Sequence, residues 1–237
     1  MPRQKVQLVN DEIYHIVLRA VGDTRVFKDE DDYYRCIFSM YEFNTADLIT
    51  IRERRKIRMA QKKVNRSRRP DSPDRRDLFI DVLAFSIMPN HVHLLVKQLK
   101  NGGITKFMQK FGGGLANYSN KKYDRKGHLF NQFRAVHIKS DNQIKNVFNY
   151  IHANAISLIE PGWKEKGIKK PKKVIEFLEN YKWHSYPDYI GKKNFQSVTS
   201  RDFLLEMMDG ARGCKQAMKE WVRYKGKIEE FDDTVFE

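Results

Sequence analysis

The chain has 237 residues, enough for one medium domain with additions or two small ones, and its 41% hydrophobic content suffices for a core. Lysine and arginine number 45 against 30 aspartates and glutamates, a formal net charge of +15. Such an excess favours a polyanionic partner, because these side chains displace the counterions condensed on a phosphate backbone. It narrows the partner and not the activity. Cys36 and Cys214 stand far apart and outside any Cys-x-x-Cys, which argues against a disulfide framework or a thiolate zinc site and fits a reducing cytoplasm. The opening MPRQKVQLVN has no apolar signal core, and no run is long enough to span a bilayer, so a soluble cytoplasmic protein is expected.

Residues 13–21 read as a strand, rich in β-branched and aromatic side chains, with a turn at Gly22-Asp23. The spacing of Tyr33, Cys36, Ile37, Met40 and Tyr41 predicts a helix over 29–42, opened by acidic residues that suit its dipole. Residues 52–77 carry a dense basic cluster, few apolar residues and two prolines, and read as an exposed insertion. Phe79 to Met88 and His91 to Lys97 look like two strands joined by a tight Pro89-Asn90 turn. Residues 104–122 are helical in spacing, but Gly112-Gly113-Gly114 interrupts them. Each glycine costs a helix about 1 kcal/mol against alanine, so the run marks a break or a close backbone approach. Phe133 to Ile138 is a further strand. Asp141 is the expected N-cap of a helix reaching about Ser157, with Ile144, Val147, Phe148, Ile151 and Ala155 on one side. A Pro/Lys-rich connection, a short helix near 174–181, the aromatic segment YKWHSYPDY and a last helix around 201–224 complete the chain. This order predicts an α+β sandwich on an antiparallel sheet, close to the ferredoxin-like pattern.

Two features carry chemistry. His91 and His93 lie two apart on a strand, so both imidazoles leave the same face, about 6.6–7 Å apart at their roots. Rings leaning together can share a metal ion, and two ligands leave a coordination sphere open enough for catalysis. The same pattern also arises by chance on any half-buried strand. On the following helix, Tyr150 and Asn154 are four apart and stack along one side at the edge of the apolar stripe. A tyrosine hydroxyl, with an ordinary pKa of about 10, becomes a nucleophile only beside a cation that stabilises the phenolate or draws charge from its target. A boundary tyrosine whose hydroxyl reaches water is the plainer reading.

Taken in order, these segments resemble a known family. Met88-Pro89-Asn90-His91-Val92-His93-Leu94-Leu95-Val96 is similar to the signature of the single-tyrosine HUH transposases of small insertion sequences, and the nearest branch is the REP-associated tyrosine transposases. Tyr150-Ile151-His152-Ala153-Asn154 resembles the family's tyrosine helix, Gly127-His128-Leu129-Phe130 with Phe133-Arg134 its Gly-x-Leu-Trp/Phe segment, and Tyr181 to Tyr186 its Tyr-x-Trp-Ser-Ser-Tyr element. Two departures stand out: Ala155 replaces the usual proline, and Asn131-Gln132 stands where Gln-Gly is common.

The resemblance implies an HUH fold over residues 1–190, with the basic insertion 52–77, followed by a helical extension over 191–237. It implies a metal-dependent endonuclease and strand transferase for single-stranded DNA bearing hairpins, acting as a monomer or homodimer. His91, His93 and Asn154 would bind Mg²⁺ or Mn²⁺, and Tyr150 would form a 5′-phosphotyrosine link. Arg54, Arg55, Arg58, Arg66, Arg68, Arg69, Arg134 and Lys139 are the candidate DNA contacts. Trp183 and Tyr186 either stack bases or pack on the sheet, packing being the stronger expectation. His15, His128, His137 and His152 receive no catalytic role. The alternatives are a domesticated hairpin-binding relative that does not cut, and a two-histidine phosphodiesterase that uses water.

Overall fold

In the computed structural model, which describes residues 6–46 and 76–225, the β-branched run Ile13–Arg19 forms β1 in the interior of a sheet. Strands β2 (Ile80–Met88) and β3 (His91–Gln98) form the expected hairpin around Pro89-Asn90, and β4 is Arg134–Ile138. The spatial order is β2-β3-β1-β4, with every pairing antiparallel. With α1 (Glu30–Phe43) between β1 and β2, and α2 (Gly103–Lys122) between β3 and β4, this is the βαββαβ ferredoxin-like arrangement.

Alternation along the strands sends two apolar sets to opposite faces. Tyr14, Ile16, Leu18, Val92, Leu94 and Val96 pack under α1 and α2. Ile13, Ala84, Leu95 and Ile138 pack under α3 (Asp141–Ala153) and the helices after it. Those are α4 (Trp163–Lys166), α5 (Pro171–Asn180), α6 (Tyr186–Tyr189), α7 (Asp202–Met207) and α8 (Gly210–Lys225). Leu204, Cys214, Met218 and Val222 of the last two, with Met208 between them, join the same core as Tyr150 and Ile151.

Helix boundaries follow local chemistry. Asp29 caps α1 in a reciprocal capping box with Asp32. α2 runs unbroken through its three glycines, which resolves the two expectations in favour of close approach. A Cβ on Gly114 would run into the Phe43 ring of α1, whereas one on Gly113 would meet nothing among the described residues. The cap of α3 is Ser140, not Asp141: Ser140 is extended (φ −142°, ψ 156°) and its hydroxyl accepts from the Gln143 amide. The regular helix ends at Ala153, and a 3₁₀ segment, Asn154–Leu158, completes the run predicted to about 157. The expected last helix is two, because Asp209 (φ 56°) and Gly210 (φ 72°) are both left-handed and break the ladder.

Candidate active site

The site lies on the sheet face covered by α3. Cross-strand register sets Ser86, His93, Val17 and Arg134 in one row across four strands, and Met88, His91 and Arg19 in the next. Residues directly opposite share a face, so both histidines, Arg19 and Arg134 belong to one surface. His93 is buried and His91 half-buried, and their ring centroids are 4.8 Å apart at 81°.

Each ring has a partner that bears on its tautomer. Nδ1 of His91 lies 2.6 Å from Oδ1 of Asn90, an atom that only accepts, so the proton of a neutral His91 sits on Nδ1 and its Nε2 carries the lone pair. The Asn90 amide nitrogen in turn points to Asp23, 3.4 Å from its carboxylate. Nδ1 of His93 lies 2.9 Å from Nε2 of His15, a fully buried ring stacked on it at 5.1 Å. His93 Nε2 is buried and has no hydrogen-bond partner among the described residues. Burial holds His93 well below the usual imidazole range, reinforced by His91, His15, Lys164 and Arg19, and burial lowers His15 to about 3.

α3 brings its tyrosine to these rings. Tyr150 meets His15 and His93 edge-on, with centroids 5.9 Å away in each case. It is 2% exposed, deeper than the stripe edge expected from helical spacing, because the segment after α3 folds back over it. Buried Trp163, packed on Trp221, anchors that segment, and Nζ of the adjoining Lys164 reaches the Tyr150 hydroxyl at 3.2 Å. Glu160 closes the loop by accepting from the Lys169 and Lys170 amides.

The structure therefore brings His91, His93 and Tyr150 together, and His15 and Lys164, which spacing did not single out, lie beside them. Antiparallel register, not sequence spacing, places His15 beside His93. Lys164 rides on a single helical turn too short for periodicity to reveal. Asn154 caps α3, where its Nδ2 donates to the Tyr150 carbonyl at 2.9 Å, and it makes no hydrogen bond to either histidine. Arg134 is exposed on β4, two strands from His93, and exposed Lys139 lies between β4 and α3. Arg54, Arg55, Arg58, Arg66, Arg68 and Arg69 fall outside the described residues.

The other candidates have structural settings. His137 pairs with Glu12 and stacks on Tyr14 across the opposite face, and His152 bonds Ser185 in the core. Trp183 stacks on Tyr33 and Tyr186 is fully buried, so the aromatic segment packs on the sheet.

The donor set fits a divalent cation. It offers the orphaned Nε2 of His93 and the Nε2 of His91, whose tautomer Asn90 fixes. Among the described residues no cluster of three or more histidine, cysteine, aspartate or glutamate side chains is gathered for a metal. A cation here would rest on the two imidazoles, keeping positions for further ligands such as water or phosphate.

No curated protein matches this sequence. Among solved structures, the chain is similar to a REP-associated tyrosine transposase bound to a REP hairpin, at 10% identity over 82% of this chain and 90% of that one, with a TM-score of 0.46. It is also similar to a crystal structure described as a transposase from Deinococcus radiodurans R1, at 16% identity over 64% of this chain and 94% of that one, with a TM-score of 0.31. Both superpositions are too loose to transfer a role. Among the described residues no helix is long and apolar enough to cross a membrane. Residues 48–154, which carry both histidines, Tyr150 and Asn154, match the model of the IS200-like transposases.

Proposed function

We propose that the protein is a metal-dependent endonuclease and strand transferase for single-stranded DNA with hairpins, and that Tyr150 is its nucleophile. The observation that carries the reading is the convergence of Tyr150 on the histidine pair, with its hydroxyl at Lys164. His91, His93 and the Asn154 amide oxygen would hold Mg²⁺ or Mn²⁺, which when bound withdraws charge from a scissile phosphate. The Lys164 ammonium stabilises the phenolate, and its distance from the hydroxyl also suits a phosphate oxygen. Tyr150 Oη forms the new bond to phosphorus and the P–O3′ bond breaks. Net, the phenol proton ends on the 3′ oxygen. The 5′-phosphotyrosine keeps the phosphoester energy, so a 3′-OH from another strand can reverse the step and join DNA without ATP.

Arg134 and Lys139 border the same face and would meet the backbone of the bound strand, with the basic residues of 52–77 as further contacts. The cytoplasm is the proposed compartment and a monomer or homodimer the proposed assembly. The test is incubation with end-labelled hairpin single strands and Mn²⁺, followed by a denaturing gel. A covalent protein–DNA band is expected from wild type and not from Tyr150→Phe. Cleavage without a covalent band would make water the nucleophile, and tight binding without cleavage would identify a non-cutting relative.

A further inference from the structure

His15 is wholly buried between Tyr14 and Ile16 of β1, where an imidazole needs a partner to offset the loss of water. Among the described residues its one hydrogen bond runs between its Nε2 and His93 Nδ1, and its own Nδ1 has none. Two neutral arrangements satisfy that bond. If His15 donates, the His93 proton sits on the buried, unpartnered Nε2, and His15 Nδ1 keeps a lone pair. If His93 donates from Nδ1, its Nε2 keeps a lone pair, and the His15 proton sits on the unpartnered Nδ1. Each arrangement strands one N–H and one lone pair, so the pair alone is nearly balanced between them. Only the second presents His93 Nε2 as a ligand atom.

We propose that His15 is a positioning residue: its Nε2 accepts a hydrogen bond from the N–H at His93 Nδ1 and so fixes that ring with Nε2 toward a divalent cation, as Asn90 does for His91. The inference rests on the metal reading of the His91–His93 pair. Stacking adds to the hydrogen bond, because the His15 ring lies 12° from parallel to that of His93 and resists its rotation. β1 supplies the rigidity, being hydrogen-bonded on both sides by β3 and β4. A metal-bound imidazole whose other nitrogen is held in this way gains basicity and loses rotational freedom, and such partners are worth about 10–100-fold in metal affinity.

The test measures Mn²⁺ binding to the full chain without DNA, from the electron paramagnetic resonance signal of the free ion. His15→Gln keeps an acceptor near the place of Nε2, whereas His15→Leu fills the space without one. Affinity is expected to fall about 10–100-fold in His15→Leu and to stay within about threefold of wild type in His15→Gln. Ring ¹⁵N spectra of wild type with Mg²⁺ are expected to show His93 protonated at Nδ1, a readout that survives if His15→Leu fails to fold. A folded His15→Leu chain that binds Mn²⁺ like wild type, or a His93 ring protonated at Nε2 in the loaded protein, overturns the inference alone. A wild-type chain that binds no Mn²⁺ overturns the metal reading and this inference with it.

Discussion

Lys164 and Tyr150 make the sharpest claim at the scale of single residues, since a cation on a phenol hydroxyl acts on the rate of attack more than on binding. Lys164→Met keeps the length of the stem and removes the charge. Loss of one such donor costs about 10²–10³-fold in rate in comparable sites. In single-turnover assays the rate of covalent adduct formation is expected to drop by about that factor, with hairpin affinity nearly unchanged. Equal losses in both would make Lys164 a backbone contact and not a partner of the nucleophile. Asn154 sits differently: its Nδ2 is committed to the Tyr150 carbonyl, so in the proposed metal site only its Oδ1 would serve as a ligand.

The elements test packing. Gly113 and Gly114 are neighbours in α2, both helical, and differ in what a methyl group would meet. Gly113→Ala is expected to stabilise the fold by about 0.5–1 kcal/mol through helix propensity. Gly114→Ala brings the same propensity gain but must displace the Phe43 ring, and is expected to unfold at lower denaturant than Gly113→Ala. Equal midpoints in urea would show that α1 gives way freely. The strands and α1 were legible in the sequence because alternation and helical spacing are strong there, and because the Pro89-Asn90 turn fixes the hairpin. The unbroken α2 was not, since three glycines read equally as a break until Phe43 stands beside them. Ser140 and Asp141 are both good caps, and only the backbone angles choose between them. The candidate site was legible from strand spacing at His91 and His93, and at Tyr150 only through the resemblance of its helix. It was hidden where register or a loop brings in a distant residue, as with His15 and Lys164.

At the scale of the whole molecule, the buried histidines tie stability to pH. Burial holds His184 at about 4 and His152 well below the usual imidazole value, and His15 at about 3 follows the same trend. The unfolded chain takes up these protons near pH 6.5, the ordinary value, while the folded protein does not. Stability is therefore full above about pH 6.5 and falls as the pH drops toward the folded values, by at most about 1.4 kcal/mol per pH unit for each ring. Urea midpoints at pH 7, 6 and 5 are expected to decrease in that order. A midpoint at pH 5 equal to that at pH 7 would mean that these rings protonate within the folded protein.

The catalytic account rests on which atom carries the DNA. Tryptic mapping of the covalent adduct by mass spectrometry, after reaction with a hairpin strand and Mn²⁺, decides it most directly. The account predicts a nucleotide phosphate on the peptide containing Tyr150, attached at that residue and released together with a 3′-OH on the other fragment. An adduct on any other residue, or cleaved DNA with an unmodified Tyr150 peptide throughout the time course, would contradict it.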